Sequence, residues 1–295
     1  MIDARSFAIL LALSPIAAAA QEPATGTAPS GAAPADTIEV PPNDYLNAVL
    51  WYQTSAEYEA AARTAYAMAK IALDRALADP SHTAAEEQTN AFSNLPPAII
   101  MDVDETVLDN GPFQGSLIKN EGGERPADMW ARWVEAAIAV PVPGADDFIA
   151  YAQAKGVTVF FITNRNAEKE EATRRNLAKI GAVMPADLDT VLLEREKPEW
   201  RNAKSPRRAQ AAETHRILLL LGDDLGDFSG HFNKPAPERK ALARQDAARW
   251  GRDWIMIPNP MYGSWEMAAI NFAFRQPPDV RRQMKYDAIE TAPAQ

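Results

Sequence analysis

The sequence contains no cysteine, and this absence excludes several kinds of chemistry. Without thiols the protein forms no disulfide bonds, has no catalytic thiolate and cannot bind zinc through cysteine. It also lacks the cysteine on which lipid anchors are built. Histidine is scarce as well, with three residues in 295, so a metal site in this chain must rely on oxygen ligands.

The chain has fewer positively charged than negatively charged residues. The chain has 30 Lys and Arg residues against 40 Asp and Glu, which gives a net charge of −10 and a pI near 4.9. Broad attraction to nucleic acid polymers or to anionic membranes is therefore not expected. An anionic substrate would need a local cation. The rest of the composition, 47% hydrophobic and 24% charged, is typical of a globular protein with one or two domains.

The N-terminal region has the pattern of a secretory signal. Residues 7–20 form a short apolar run that ends in four alanines, too short to span a membrane. We predict a signal peptide at 1–20 and a flexible linker, rich in Pro, Ala and Thr, at 21–42. A retained anchor is the alternative, because Asp3 offsets Arg5. The expected location is periplasmic or secreted, with no stable membrane anchor.

The run at 98–101 is apolar and ends abruptly in carboxylates. Asp102 and Asp104 follow it directly, and Thr106 comes two positions later. A buried strand that ends in this way opens into a cleft at the edge of an α/β sheet. Residues two apart in an extended segment share a face, so the two like charges require a cation or a shared proton. The alternative is a capping turn in which Asp and Thr bond local amides.

Other apolar runs alternate with helical patterns. Helices are predicted at 145–155, at 167–180 and from Ser205, which we expect to cap the third of them, to about 213. This β-α-β-α order predicts a Rossmann-like, doubly wound parallel sheet of the α/β class. The five predicted strands are residues 98–101, 157–162, 189–193, 217–221 and 254–259.

Three further segments surround this sheet. From Asp44, a predicted cap, one long helix or two stacked helices run to Pro80. The insertion at 111–142 follows the first strand directly and is placed to cover the cleft as a lid. We predict a catalytic domain at 43–278 and a peripheral polar tail at 279–295.

Several of the predicted strands and one helix place polar side chains at the same edge of the sheet. Three or more carboxylates without a histidine or cysteine cluster make a hard-oxygen site suited to Mg²⁺. A lysine and a hydroxyl beside such a metal would bind phosphate, and a carboxylate could attack phosphorus to form an aspartyl-phosphate. The residues are Asp102, Asp104, Thr106, Thr163, Asn164, Arg165, Lys204, Asp223, Asp224 and Asp227.

The motifs DVDET, ITNR, KS and GDDLGDF, in this order and at these strand ends, resemble the four signatures of the haloacid dehalogenase (HAD) superfamily. The longer DVDETVLDN, a W-x-x-W pair and a late Pro-Asn-x-x-Tyr-Gly-x-Trp are similar to the class B and class C bacterial acid phosphatases. Within that group they most resemble the lipoprotein e 5′-nucleotidase branch. The similarity runs from about Tyr45 to about Phe274.

The resemblance implies a role for each matching carboxylate. Asp102 would be the nucleophile and a Mg²⁺ ligand. Asp104 would be the general acid and base, with its backbone carbonyl also on the metal. Asp223 would complete the metal site, and Asp227 would support the metal or the lysine.

The resemblance also implies how substrate is held. Thr163, with its neighbour Asn164, and Lys204 would bind the phosphoryl group. Lys204 is preferred to Lys197 because a serine and a helix start follow it. Trp130 and Tyr262 would sandwich a base or an aryl ring, because stacking accepts any flat group.

Two features depart from that branch. Its members carry a lipid on a cysteine after the signal peptide, and this chain has none. Asp224 stands where the branch often has Asn, which would add a charge beside the metal. Thr106 and Asp109 are interpreted as supports of the turn rather than as catalytic groups.

The predicted function is an exported, Mg²⁺-dependent acid phosphatase and 5′-nucleotidase. Its expected partners are small phosphomonoesters, namely nucleoside 5′-monophosphates, nicotinamide mononucleotide and aryl phosphates, and the family implies a homodimer. A dehalogenase is disfavoured, because Asp104 would protonate an alcohol and a halide leaving group needs no proton. The alternative is a non-catalytic envelope protein that keeps the fold and binds nucleotides.

Overall fold

The computed structural model describes residues 43–89, 91–120 and 125–292. These belong to one compact unit that begins at Asn43. The predicted signal peptide and linker, residues 1–42, lie outside the described residues. No helix in the described part of the chain is long and apolar enough to cross a membrane.

In the part of the chain that the structure describes, seven strands form two sheets. The central sheet has five parallel strands in the order β5-β4-β1-β6-β7, and β2 pairs with β3 in a small antiparallel sheet. This confirms the predicted α/β fold. The strands are β1 Pro97–Met101, β2 Leu108–Asp109, β3 Val140–Pro141, β4 Thr158–Asn166, β5 Val191–Glu194, β6 Arg216–Gly222 and β7 Trp254–Met256.

Ten helices are found among the described residues, together with two short 3-10 helices at Ala167–Lys169 and Leu225–Asp227. The α-helices are α1 Leu46–Thr54, α2 Ala56–Ala78, α3 Gly111–Ile118, α4 Pro126–Ala136, α5 Ala145–Ala154, α6 Glu170–Lys179, α7 Ser205–Thr214, α8 Ala236–Gln245, α9 Ser264–Ala269 and α10 Pro278–Asp287.

The central sheet is covered on both faces. Side chains of successive strand residues point to opposite faces, so Ile99 of β1 packs in one core cluster and Ile100 in the other. The first cluster includes apolar residues of α2, α5 and α6. The second includes Ala211 and Ala212 of α7. Strands that are buried on both faces need a continuous apolar sequence. The strands β1 and β6 could therefore be predicted from their apolar runs.

The helices predicted at 145–155 and 167–180 end next to glycines, whereas two predicted N-terminal caps are not found. Gly156 and Gly181 have φ values of 72° and 91°, the left-handed conformation expected after α5 and α6. The predicted cap at Asp44 is wrong, because α1 follows Tyr45 without a side-chain cap and Asp44 instead pairs with Arg282 at 3.2 Å. The predicted cap at Ser205 is also wrong.

Ser205 is the first residue of α7 rather than its cap, and its Oγ accepts a hydrogen bond from Nη2 of Arg208 at 3.0 Å. The helical region predicted between Asp44 and Pro80 consists of two helices, α1 and α2. Ser55 separates them and caps α2 by accepting from the N–H of Tyr58 at 3.0 Å.

Candidate active site

The strand register brings β1 and β6 to the same edge of the sheet. Met101 lies opposite Leu221, and the N–H of Asp102 donates to the carbonyl of Leu221 at 2.9 Å. Asp102 and Asp223 therefore leave neighbouring strands side by side. Parallel strands end together at one edge, and this is where the sequence predicted the site.

Lys204 joins two of the predicted carboxylates. Its Nζ donates to Oδ1 of Asp102 and, at 2.6 Å, to Oδ1 of Asp227. All three side chains are less than 10% exposed. Lys197 lies elsewhere and donates to Gln210 at 2.6 Å. Of the two lysines, the structure thus places Lys204 beside the predicted carboxylates.

Burial and neighbouring charges act in opposite directions on the pKa values of Asp102 and Lys204. Burial raises the pKa of Asp102 to about 7, against the opposing effect of Lys204, while Asp227 and Asp104 add to the increase. Burial also acts to lower the pKa of Lys204, but Asp102 and Asp227 outweigh it and raise that pKa. The ammonium group therefore remains charged, because two carboxylates face it.

The chemistry of the carboxylates fits a divalent cation. Asp102, Asp223 and Asp227 each offer one oxygen, and these oxygens lie within 4.8 Å of one another. Burial raises the pKa of Asp223 well above its usual range, and the charges of Asp102 and Asp227 raise it further. A cation bound by hard oxygen ligands would relieve this repulsion. The cluster contains Asp227, which the sequence assigned only a supporting role.

Two side chains orient Asp223. Thr106 donates its hydroxyl to Oδ1 at 3.2 Å, and Asn259 donates Nδ2 to Oδ2 at 2.8 Å. Thr106, which was interpreted as a support of the turn, therefore contacts the carboxylate cluster. Asn259 was quoted in the sequence only as part of a motif, and its contact with a residue 36 positions earlier has no local signal. Asp109 does support the turn, by accepting from the N–H of Gly111 at 2.6 Å.

Asp104, the predicted acid and base, is held by two partners. Arg165 donates Nη2 and Nε to Oδ1 at 2.7 and 3.1 Å, and Asn110 donates Nδ2 to the same oxygen at 2.8 Å. Asp104 lines the cavity and its side chain is 19% exposed. Asn110 has no site role in the sequence prediction.

Glu105 is a buried acid that the sequence analysis missed. It adopts φ 60° and is completely buried. Its carboxylate accepts from the N–H of Asn110 at 2.9 Å and from the hydroxyl of Tyr262. Burial, and then the charge of Asp104, raises its pKa well above the usual range. Through these hydrogen bonds Glu105 links the turn after β1 to the loop before α9.

The two predicted phosphate-binding residues on β4 differ in position. Asn164 lines the cavity and donates Nδ2 to the carbonyl of Asn202 at 3.0 Å. Thr163 is completely buried, its Oγ1 accepts from the N–H of Arg165 at 3.1 Å, and it is not part of the cavity wall. Arg207, which was not predicted, donates to the Thr163 carbonyl and to Oδ1 of Asn164, so it fixes this strand end.

A cavity of about 420 Å³ opens over the carboxylates. Trp130 and Tyr262, the predicted aromatic walls, both line it. The sequence did not identify two further aromatic lining residues, Phe113 and Phe232. The ring of Phe113 packs against that of Trp130 with centroids 4.9 Å apart. An apolar cavity with charged groups at one end suits a small ligand that has a ring and an anionic group.

Asp224 also lines the cavity but its contacts are structural. Its carboxylate accepts from the N–H of Gly226 at 2.8 Å and from both polar groups of Ser264. Arg239 lies 3.8 Å from Oδ2. The expected extra charge beside the metal is therefore paired with hydrogen-bond donors and with a cation, outside the Asp102, Asp223 and Asp227 cluster.

Fold and site together define a class of protein, a hydrolase of phosphoric monoesters built on an α/β sheet of the HAD type. The family model described as HAD superfamily, subfamily IIIB (acid phosphatase), matches residues 13–265, and the chain belongs to this family.

Solved structures agree with this assignment. The class C acid phosphatase from Bacillus anthracis is 34% identical, with a TM-score of 0.72, and the match covers 84% of this chain and 97% of that one. The same Bacillus anthracis phosphatase with tungstate bound matches with 33% identity, the same TM-score and the same coverage.

Proposed function

We propose that the protein is a Mg²⁺-dependent acid phosphatase that cleaves phosphomonoesters through an aspartyl-phosphate, an acyl phosphate, formed on Asp102. The observation that carries this proposal is the contact of Asp102 with Lys204 beneath the cavity, with Asp104 on the same wall. A nucleophile, a cation for the phosphoryl oxygens and a proton donor are the groups that this reaction needs.

The chemistry has two displacements. In the first, a carboxylate oxygen of Asp102 attacks phosphorus and the bond to the ester oxygen breaks, while Asp104 gives its proton to the departing alcohol. In the second, Asp104 takes a proton from water, the water oxygen attacks phosphorus, and the bond to Asp102 breaks to release phosphate. Lys204 offsets negative charge in both steps, and both aspartates end as they began.

Asp102, Asp223 and Asp227, with the backbone carbonyl of Asp104, would hold the Mg²⁺. When bound, the ion supplies positive charge to the phosphoryl oxygens and makes phosphorus more electrophilic. Thr163 and Asn164 would bind the phosphoryl group with Lys204. Strand β4 would then have to shift at Thr163 to expose the hydroxyl of this residue, which is buried in this structure.

The shape of the cavity supports substrates that carry a flat ring. Trp130 and Tyr262 line it together with two phenylalanines, so a nucleobase, nicotinamide or aryl ring could stack between apolar walls. The Bacillus anthracis relative binds tungstate, an oxyanion that resembles phosphate. We therefore propose nucleoside 5′-monophosphates, nicotinamide mononucleotide and aryl phosphates as substrates.

A phosphate-release screen tests reaction, metal and substrate class together. Purified protein is assayed with nucleotides, nicotinamide mononucleotide, a sugar phosphate and p-nitrophenyl phosphate, from acid to neutral pH, with Mg²⁺ or with a chelator. We expect hydrolysis of the ring-bearing esters that the chelator abolishes. Asp102→Asn, with an unchanged circular dichroism spectrum, should be inactive. Nucleotide binding by calorimetry without any turnover would instead identify a nucleotide-binding protein.

We also propose that residues 1–20 direct export and that the mature protein acts in the periplasm or outside the cell, without a stable membrane anchor. N-terminal sequencing of protein from the periplasm and the medium tests this, with cleavage after Ala20 expected. Residues 43–278 would form the catalytic domain and 111–142 a lid. The homodimer that the family implies is tested by sedimentation equilibrium.

A further inference from the structure

Helix α4 carries two tryptophans that contact the surroundings of Asp104. Trp130 and Trp133 are three residues apart and therefore lie on the same side of the helix. The ring centroid of Trp130 lies 5.5 Å from Cζ of Arg165. The indole N–H of Trp133 donates to Oδ1 of Asn110 at 2.7 Å.

Both partners of these tryptophans hold Asp104 by the same oxygen. Oδ1 accepts Nη2 and Nε of Arg165 at 2.7 and 3.1 Å, and Nδ2 of Asn110 at 2.8 Å. Within the described part of the chain, Oδ2 accepts only Nε of Arg165, at 3.2 Å. Three donors therefore surround Oδ1, whereas Oδ2 receives a single, shared one and is the less occupied oxygen of the carboxylate.

The tryptophans determine how these partners are oriented. An indole N–H can only donate, so Trp133 requires the carbonyl oxygen of the Asn110 amide to face it and the NH₂ group to face Asp104. Asn110 is completely buried. The guanidinium of Arg165 is held by Thr173 at 3.2 Å as well as by the ring of Trp130, a cation–π contact.

We propose that Trp133 and Trp130 are positioning residues, through which α4 fixes Asp104 so that Oδ2 faces the leaving-group oxygen. The inference rests on the proposed function and adds a task for the 111–142 insertion besides binding the ring. As the bond between phosphorus and the ester oxygen breaks and the bond to Asp102 forms, the proton on Oδ2 passes to that ester oxygen. The Asp104 carboxylate left behind is paired with Arg165.

The dependence of rate on the leaving group tests this inference. Trp133→Phe keeps the ring and removes the N–H. A general acid matters most for a basic leaving group, so we expect kcat/KM for phenyl phosphate and for a nucleotide to fall about tenfold, a part of the roughly 10²–10⁴-fold that general acid–base catalysis contributes. For p-nitrophenyl phosphate, whose leaving group needs little protonation, we expect a change below about twofold.

A matched control is Trp250→Phe. The indole N–H of Trp250 donates to the carbonyl of Ala243 at 2.9 Å, away from the cavity, and this variant should keep the wild-type kcat/KM for every ester. Arg165→Lys keeps the charge but loses the two-pronged contact with Asp104, and we expect the same leaving-group dependence as for Trp133→Phe. It serves as the second test if Trp133→Phe does not fold.

An equal loss with all esters in Trp133→Phe or Arg165→Lys, or no loss with phenyl phosphate, would overturn the positioning role while leaving the phosphatase assignment intact. Wild-type protein that hydrolyses none of the esters would overturn the proposed function, and this inference with it. Thermal melts of each variant separate a loss of folding from a change in leaving-group dependence.

Discussion

The carboxylate of Asp224 accepts hydrogen bonds from the backbone N–H and the hydroxyl of Ser264, at 2.7 and 2.6 Å. These bonds connect the end of β6 to the start of α9. The neighbouring residue Asp223 belongs instead to the carboxylate cluster. Two adjacent aspartates therefore have different tasks, because successive side chains of an extended segment point in different directions.

Because the two aspartates have different contacts, the same substitution should affect stability at position 224 and Mg²⁺ binding at position 223. Asp224→Asn replaces one acceptor oxygen by an NH₂ group, so we expect a loss of about 1 kcal/mol of stability from the bond to the Ser264 N–H. The Mg²⁺ concentration for half-maximal activity should stay within about twofold. Asp223→Asn should raise it more than about tenfold, because a charged ligand is lost. Equal weakening in both variants would make Asp224 a metal ligand.

A second prediction compares two lysines that follow β5. Lys204→Met removes the cation between Asp102 and Asp227, so kcat should fall by about 10²–10³-fold. Lys197→Met is the matched control, since Lys197 contacts Gln210 and the ring of Trp200 and does not line the cavity. Steady-state kinetics with p-nitrophenyl phosphate should show wild-type kcat for this control, and a comparable loss in it would contradict the assignment.

The ring and the hydroxyl of Tyr262 should be separable. Tyr262→Phe keeps the ring and loses the bond to Glu105, so KM for nucleotides should stay within about twofold and stability should fall by about 1 kcal/mol. Tyr262→Ala should raise KM for nucleotides about tenfold, given the worth of base stacking. Glycerol phosphate, which has no ring, is the control substrate. Its KM should not change in either variant, and a parallel increase would argue against stacking.

Glu196 provides a test of pH-dependent stability outside the site. Burial, reinforced by Asp189 and Glu170, raises its pKa from 4.5 to about 7, and its buried Oε1 has no hydrogen-bond partner among the described residues. The folded protein therefore holds a proton that the unfolded chain loses near pH 4.5. The free energy of unfolding therefore decreases as the pH rises from about 4.5 to about 7, because the folded protein must give up this proton from a buried site.

Glu196→Gln should remove this loss. At pH 8 we expect it to raise Tm by about 2–4 °C, or about 1 kcal/mol after allowing for partial exposure, and at pH 4 to leave Tm unchanged. Thermal melts at both pH values measure this. The exposed Glu199→Gln is the matched control and should show no such difference. A stabilisation of equal size at both pH values would contradict the explanation.

Local pattern was sufficient for the strands and several helix ends. Five apolar runs became the five strands of the central sheet, although β7 ends at Met256 rather than at residue 259. Helices α8, α9 and α10 were not predicted. Helix α10 has no buried residue and lies almost entirely in the predicted peripheral tail.

The carboxylates and the lysine of the candidate site could be found from sequence, because the strand ends of a parallel sheet meet at one edge whatever the details of packing. The residues that orient them could not. Glu105 and Asn110 contact partners that tertiary packing brings together, such as Tyr262, which lies 157 positions from Glu105. Arg165 was predicted at this edge of the sheet, but its contact with Asp104 was not. Neither the spacing nor the type of these residues predicts these contacts.

The sequence by itself thus determined the fold class, the family and the location of the acidic cluster, since all three depend on short apolar runs and the polar residues that end them. Only the tertiary structure decided which oxygen of Asp104 has fewer hydrogen-bond donors, that Asp224 is held by Ser264, and that Trp133 contacts Asn110. These are directional hydrogen bonds between distant segments, and their geometry exists only once the segments are packed together.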